Sequence, residues 1–355
     1  MPVPSDFVER QQRVIAQWKL EPPGLAGEQY LGDNPFHHFV LTEQAASWRE
    51  YLDWIAELTG RWCFRGQREA LWTLATSMDR ASTVECSTPN GSGYYHLPRT
   101  GEERELLHLF QEQAPRHVET VPEQDDTASW LAMMQHYGVP TRLLDWTQSP
   151  HIGLYFALDD PPEGIHAALW ALDLAWLETT RKRLGRPTAA VEASRPDAAF
   201  QPLDRLLYET KEPLILSIDP STVTDRMTAQ QGLLLFNTIE EASFSQMLMS
   251  MIMHGGVPPS PAIRKLEIAR ELRIEVLERL REMKIDSSAL FPGLAGFGQS
   301  LRVGLEIKVH RASEAAVRHS LALEAEFLGR RRQTRKGTGA RNRGGLNPSA
   351  TKVVR

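Results

Sequence analysis

Short apolar runs alternate with helical patterns along this chain, and they limit its fold more than any other feature. HAALWALD at 166–173, LILSI at 214–218 and GLLLF at 232–236 have the length and flanking turns of buried strands. Between such runs lie stretches whose apolar residues recur at helical spacing. This mixture predicts an α/β or α+β domain.

The same patterns predict where helices and loops lie. Helices are predicted at 4–19, at 42–60 with Thr42 as N-cap and Gly60 at the end, at 100–115, at 127–137 and at 265–285. Ser149 followed by Pro150 is typical of a further helix start. The polar segment 82–99 is predicted as a long loop, and 290–298 as a turn-rich close.

Composition indicates the cellular compartment expected for the protein. The richest apolar run, MLMSMIM at 247–253, is far shorter than the roughly 18 residues of a membrane span. The first residues, MPVPSDFVERQQ, lack the apolar core of a signal peptide. Two cysteines, Cys63 and Cys86, show no metal-type spacing. We therefore expect no membrane contact, no metal site and a reducing cytoplasm.

Charge separates the body of the chain from its end. Nine of the 40 basic residues lie from Arg330 onward, where no acidic residue occurs, so the remainder carries 31 basic against 45 acidic residues. A segment so poor in large apolar groups is predicted to be disordered. It either contacts nucleic acid or an acidic protein surface, or is a solvated end. The predicted organisation is a helical lead-in at 1–40, one domain at 41–310, a terminal helix at 311–328 and a basic disordered tail at 329–355.

One predicted strand carries a charge. In RWCFRGQ, 61–67, alternation places Cys63 and Arg65 on one face, and Trp62 and Phe64 on the other. A guanidinium on a core strand needs a partner, because burying it unpaired is costly. Gly66 removes a side chain where another group approaches the backbone. Arg65 thus either pairs with a buried acid such as Asp145 or faces a ligand.

Several polar residues occur among apolar ones along the chain. Taken singly, each is more often structural than functional: His136 fits a helix-end histidine, and Arg142 fits an ion pair with Asp145. Taken together, they predict a cleft lined by polar groups. The residues are Arg65, Gln67, Gln135, His136, Arg142, Asp145, Thr147, Gln230 and Gln231.

Four segments resemble the FRG domain, a family named for its Phe-Arg-Gly motif. They are CFRGQ at 63–67, QHYGVPTRLLDWTQSPHIGLYFAL at 135–158, QQG at 230–232 and LFPGLAG at 290–296. The second segment is the most specific, because it is long and continuous. The resemblance covers roughly residues 45–300, and the family name alone implies no reaction.

A second resemblance is to ADP-ribosyltransferases of the Arg-Ser-Glu class. Phe64-Arg65-Gly66 is similar to the aromatic-Arg-Gly of their first strand. Asp145-Trp146-Thr147 takes the place of their Ser-Thr-Ser strand. Ala229-Gln230-Gln231-Gly232 takes the place of the segment that carries their catalytic Glu, with the order along the chain preserved.

This resemblance implies an ADP-ribosyltransferase-like split sheet with flanking helices, and NAD as substrate. Arg65 would hold a phosphate or ribose of NAD, with Gly66 letting the nicotinamide amide reach backbone groups, and Thr147 supporting the strand. Gln67 and His136 would complete the cofactor site, and Trp146 or Tyr155 would stack on nicotinamide. Gln231 departs from the class, because an amide carries no charge and cannot act as a base. Asp145 is a substitute carboxylate for that role.

Several functions stay open at this stage. The leading one is NAD-dependent ADP-ribosyl transfer to a protein or nucleic acid acceptor, with a toxin or defence role by analogy only. The alternatives are a sensor that binds NAD or another nucleotide without cleaving it, and an interaction module whose polar residues are structural. A cysteine hydrolase built on Cys63 and His136 is disfavoured, because no nucleophile motif surrounds Cys63.

Overall fold

The structure, a computed structural model, describes residues 6–20, 35–88, 91–96, 101–160, 166–184, 213–220, 224–256, 258 and 260–340. Within these ranges, side chains are described except at 8, 17–20, 35, 83–96 and 329–340. The chain divides into two compact units, residues 1–300 and residues 301–355.

Nine strands are described. They are β1 (Leu41–Ala45), β2 (Trp62–Gln67), β3 (Thr83–Thr88), β4 (Gly91–His96), β5 (Leu143–Thr147), β6 (His166–Asp173), β7 (Ile215–Ile218), β8 (Gly232–Asn237) and β9 (Ile263–Ala269). Seven form one mixed sheet in the order β1-β9-β6-β2-β5-β8-β7. Its β1–β9 pair is parallel and its other pairs are antiparallel.

Helices flank this sheet. They are α1 (Phe7–Leu20), α2 (Trp48–Ala56), α3 (Ser77–Ala81), α4 (Glu102–Gln113), α5 (Thr127–His136), α6 (Pro150–Leu158), α7 (Leu174–Arg183), α8 (Asp225–Ala229), α9 (Phe244–Gly255), α10 (Arg273–Glu282), α11 (Ser287–Leu290) and α12 (Leu294–Ala340). Short 3-10 turns occur at Pro35–Phe39, Ala114–Arg116 and Arg270–Leu272. The protein is therefore an α+β protein, as the sequence predicts.

The sheet is buried on both faces, which explains its long apolar strands. One face packs against α9 in a cluster that includes Leu144, Trp146 and Trp170. On the other face, Leu143 and Phe236 pack with residues of α4 and α5. Strand β6 is buried at every position except its two ends, so its continuous apolar sequence predicts it correctly.

Two predicted helices contain strands instead. Thr42 lies in β1, and the helix begins at Trp48 with Ser47 as its N-cap. Residues 263–269 form β9, so the predicted helix at 265–285 is reduced to Arg273–Glu282. The reason is pairing between distant segments: Glu43 of β1 accepts hydrogen bonds from Arg264 of β9 at 2.7 and 2.9 Å. Charged residues that pair across a buried sheet interrupt the apolar sequence of each strand. The sequence of such a strand then resembles that of an amphipathic helix.

Two further predictions are corrected. The predicted loop at 82–99 contains the hairpin of β3 and β4, which pair in a two-stranded sheet of their own. The predicted turn-rich close at 290–298 ends in a helix that begins at Leu294. This helix continues to Ala340, beyond the predicted tail boundary at 329, and residues 341–355 lie outside the described residues. The proposed division into domains stays a prediction.

Candidate functional site

A gap in the sheet creates the main cleft. Strand β2 pairs with β6 from Trp62 to Gln67, but it pairs with β5 only where Phe64 meets Thr147. Beyond that point the two strands diverge. The cleft has a volume of about 1630 Å³ and is lined by residues of both strands and of α5, α8 and α9. This is ample room for a small-molecule ligand.

Arg65 spans the gap. Its Nη1 donates a hydrogen bond of 2.6 Å to the backbone carbonyl of Asp145, which β2 does not reach with its own backbone. Its Nε is buried and has no hydrogen-bond partner. Burial lowers the pKa of Arg65, with the positive charge of Arg80 adding to this and the negative charge of Asp145 opposing it. Arg65 is therefore both a clamp between strands and a donor with unused capacity.

Trp146 adds a second unused donor on the same face. Its side chain is 3% exposed and lines the cleft. The pairing of Phe64 with Thr147 places Arg65 and Trp146 on a common face of the sheet, because side chains alternate along both strands. The indole Nε1 of Trp146 is buried without a hydrogen-bond partner. Two orphaned donors on neighbouring strands are unusual, since buried polar groups are normally satisfied.

Asp145 lies in the cleft wall with its carboxylate exposed. Its neighbours Leu144 and Trp146 are buried and point to the other face of the sheet. The expected pairing of Asp145 with Arg142 is wrong. Arg142 instead donates from Nε to Glu103 at 2.8 Å, and both side chains are almost fully buried. Within the described residues, no ion pair involves Asp145, so its carboxylate is available to a ligand.

Gly66 and Gln67 shape the wall of the cleft. A Cβ at Gly66 would lie well under 3.0 Å from the carbonyl oxygen of Gly153 and the amide nitrogen of Ala157. The glycine is therefore required for α6 to pack on β2. Gln67 accepts a hydrogen bond of 2.7 Å from the indole of Trp170 and donates one of 3.0 Å to the carbonyl of Thr73. Its amide is thus used by the protein.

The predicted third motif forms a turn beside the cleft. The Thr147 hydroxyl donates to the carbonyl of Gln230 at 2.8 Å and so joins β5 to this turn. Gln231 has a left-handed backbone with a φ of 46°, and its carbonyl accepts from the amide of Gln148. Its side chain is exposed and does not line the cleft, whereas Gln230 does. The structure brings Thr147 into the site and leaves the Gln231 side chain outside it.

The two remaining predicted residues differ in position. His136, at the end of α5, lines the cleft. Tyr155 does not: it is buried in α6, and its hydroxyl lies 2.6 Å from both Asp159 and Ser287. Burial raises the pKa of Tyr155. Tyr155 therefore ties α6 to α11 and is not placed to stack on a ligand in this cleft.

Sequence reasoning missed three residues of the cleft. Arg80 of α3 lines it and hydrogen-bonds to the carbonyl of Ala75, with no ion-pair partner among the described residues. Trp72 is half-exposed at the wall, with the guanidinium of Arg68 located 5.9 Å from its ring centre. No local pattern marks these residues. Arg68 and Trp72 lie in the irregular segment after β2, and Arg80 lies in the short polar helix α3.

Other site chemistries find little support. Within the described residues, no cluster of His, Cys, Asp and Glu could hold a metal ion. Cys63 is buried, and burial raises the pKa of its thiol, whereas catalytic cysteines have lowered values. In the same part of the chain, every helix is too short or too polar to cross a membrane.

Comparison with known families identifies part of the chain. Residues 60–164 match the FRG domain. This segment is an FRG domain. It begins just before β2 and ends just before β6. The segment contains Arg65, His136, Asp145 and Trp146. The turn at Gln230 lies outside the matched range. Searches of curated proteins and of solved structures returned no match for the chain.

Proposed function

We propose that the cleft of the FRG domain binds NAD and that the protein transfers ADP-ribose from it to an acceptor. The observation that carries the proposal is the gap between β2 and β5. There the buried Nε of Arg65 and the buried Nε1 of Trp146 face a common side without partners. Each orphaned donor is costly to the protein alone, and a ligand rich in acceptor oxygens would relieve that cost.

The charge near this gap favours an anionic ligand. The guanidiniums of Arg65 and Arg80 are close enough for Arg80 to lower the pKa of Arg65. Among the described residues, neither arginine is within 4.0 Å of a carboxylate. Two neighbouring guanidiniums suit a diphosphate, because arginine binds phosphate through parallel charge-assisted hydrogen bonds. NAD supplies this group.

The exposed Asp145 provides the chemistry expected of a transferase. In the proposed reaction, the bond between nicotinamide and the ribose C1′ breaks, and nicotinamide leaves with the bonding electrons. A bond then forms from C1′ to an acceptor nucleophile, which loses its proton to Asp145 or water. A carboxylate beside C1′ stabilises the oxocarbenium-like transition state. The order of the three motif segments and the split between β2 and β5 support an ADP-ribosyltransferase-like fold as part of this proposal.

One observation favours a second function. The residue that replaces the catalytic glutamate of the transferase class, Gln231, is uncharged, and its side chain lies off the cleft. A protein that binds NAD or another nucleotide and responds to it would need Arg65 and Trp146 but no carboxylate. The sensor therefore differs from the transferase in the role of Asp145.

One experiment separates the two functions. Purified protein is given NAD labelled in the adenylate half, with and without cell extract treated separately with protease or nuclease. A transferase releases nicotinamide and labels extract, and the treatment that removes the label identifies a protein or nucleic acid acceptor. Saturable NAD binding without nicotinamide release supports the sensor. Absence of NAD binding by calorimetry overturns the transferase and the NAD sensor.

A further inference from the structure

The second unit carries an apolar stripe along one face of its helix. Within residues 301–328, every described side chain from Lys308 onward is exposed. Eight large apolar residues there are each more than half exposed, and four of them share one side of the helix: Leu301, Leu305, Leu323 and Phe327. Together with Ala312 and Ala316 they recur at alternating steps of four and seven residues. This 11-residue repeat keeps a stripe on one side of a helix over several turns.

The stripe reads almost the same from either end. Two large residues lie at each end, and two alanines lie at its centre on either side of position 314. Val309 lies on the same side of the helix and is the exception, because its counterpart about position 314 is His319. In an antiparallel pair of such helices, Leu301 would face Phe327 and Leu305 would face Leu323. The alanines Ala312 and Ala316 would face each other at the centre, where small side chains permit close approach of the two backbones. The pattern is thus complementary to itself when reversed.

Charges beside the stripe favour the same arrangement. Arg302 and Glu324 are two 11-residue repeats apart, so they lie on the same flank of the stripe. A two-fold axis perpendicular to antiparallel helices brings equal flanks together. Arg302, which contacts Glu306 of its own chain at 3.2 Å, then also lies near Glu324 of the other copy. In a parallel, in-register pair, Glu324 would instead lie near Glu326 of the other copy, and like charges repel.

We infer that residues 301–328 form an antiparallel helical dimer with a second copy of this chain. The stripe buries its leucines and Phe327 against the partner copy, and Arg302 pairs with Glu324 twice because of the symmetry. An isolated helix gains little stability from its own hydrogen bonds, whereas packing of an apolar face supplies it. The inference does not depend on what the FRG domain binds.

Self-association of the full chain tests this inference by analytical ultracentrifugation over a range of concentrations. The wild type is expected to dimerise reversibly. Leu305→Glu is expected to weaken dimerisation at least ~10-fold, since each dimer would bury the charge twice. The matched control, Glu314→Gln on the side opposite the stripe, should dimerise as the wild type does. A wild type that stays monomeric at its highest soluble concentration overturns the inference.

Orientation is tested by charge exchange and by cross-linking. Arg302→Glu and Glu324→Arg should each weaken the dimer, and the double exchange should restore it. Leu305→Cys combined with Leu323→Cys should cross-link two chains under oxidation, while either single variant should not. Efficient cross-linking by Leu305→Cys alone indicates a parallel pair and overturns the antiparallel arrangement. Unchanged helical circular dichroism in all variants shows that the helix itself persists.

Discussion

The guanidinium of Arg65 donates to the backbone carbonyl of Asp145 at 2.6 Å, just where β2 and β5 cease to pair. This side-chain hydrogen bond takes the place of a backbone hydrogen bond between the two strands. It holds the gap at a fixed width and leaves one guanidinium edge, at Nε, unsatisfied. The clamp thus keeps the two strands joined across the gap while it spares one donor.

Removal of the Arg65 side chain should weaken NAD binding. Arg65→Ala loses a charge-assisted hydrogen bond worth about 1.5–3 kcal/mol, so the affinity should fall on the order of 10- to 100-fold. Arg65→Lys should recover little, because an ammonium cannot donate in two directions in one plane. Calorimetric titration with NAD measures both variants.

The control for this prediction is Arg68→Ala. Arg68 also lines the cleft, but it is exposed and pairs with Asp160 at 3.4 Å. A loss of affinity as large as that of Arg65→Ala would show that general positive charge, and not the clamp, attracts the ligand. Thermal unfolding of each variant separates a binding defect from loss of the folded state.

Substitution of Gly66 should damage packing more than binding chemistry. In Gly66→Ala, the new methyl would collide with backbone atoms of α6, which cannot move as a flexible side chain can. We expect a loss of about 3 kcal/mol or more in the free energy of unfolding. Gly298→Ala is the control, because a Cβ there meets nothing within 4 Å. It should stabilise the helix by about 0.5–1 kcal/mol. Urea unfolding measures both changes.

The buried ion pair of Arg142 and Glu103 should matter for folding rather than for ligand binding. Glu103 accepts from both the backbone amide and the guanidinium of Arg142. Glu103→Ala leaves a buried guanidinium without this partner and should cost about 3–5 kcal/mol. Glu275→Ala removes a half-exposed partner of Arg279 and should cost less than about 1 kcal/mol in ion-pair energy. Equal losses in urea unfolding would contradict this assignment.

Stability should fall as the pH drops below about 6.5, through His151. Burial lowers the pKa of His151 in the folded state, and its Nδ1 lies 2.7 Å from the hydroxyl of Tyr51. The unfolded chain therefore takes up the proton first, and protonation favours unfolding. His151→Gln should reduce this loss between about pH 6.5 and 5, above the range where carboxylates titrate. Urea unfolding across this range checks it, and equal slopes for both proteins would exclude His151.

Much of the sheet is predictable from sequence, because its central strands are apolar over their whole length. The missed strands β1 and β9 illustrate the limit. Arg264 and Glu43 are separated by 221 positions, and each is polar in sequence, yet they neutralise each other in the buried sheet. No local window contains both partners. Helical spacing within 42–60 and 265–285 was therefore a misleading signal over the residues that form strands.

Some residues of the cleft are likewise predictable from the sequence and others are not. Arg65, His136 and Asp145 stand out because they are polar residues in apolar segments, and the structure places all three in the cleft. Arg80 gave no such signal, since an arginine in a polar helix is ordinary. Motif alignment predicted Gln231, but alignment fixes order along a chain and not side-chain direction. The left-handed turn at Gln231 directs its side chain away from the cleft.

The final prediction concerns the carboxylate of the proposed reaction. Because the Gln231 side chain lies outside the cleft, Gln231→Gly should leave nicotinamide release unchanged, and glycine suits its φ of 46°. Asp145→Asn keeps the shape of the exposed carboxylate but removes its charge, so release should fall by about 100-fold or more. NAD affinity should change little, because Arg65 uses the backbone carbonyl of Asp145 and not its side chain.

Nicotinamide release and NAD affinity, measured for the wild type and both variants at one pH, decide whether Asp145 has this role. If Gln231→Gly abolishes release while Asp145→Asn does not, the QQG turn rearranges on binding and brings Gln231 to the ribose. If the wild type binds NAD but releases no nicotinamide, and neither variant alters the affinity for NAD, then the carboxylate of Asp145 has no catalytic role. The cleft would then act as a nucleotide sensor, with Arg65 and Trp146 as its binding residues.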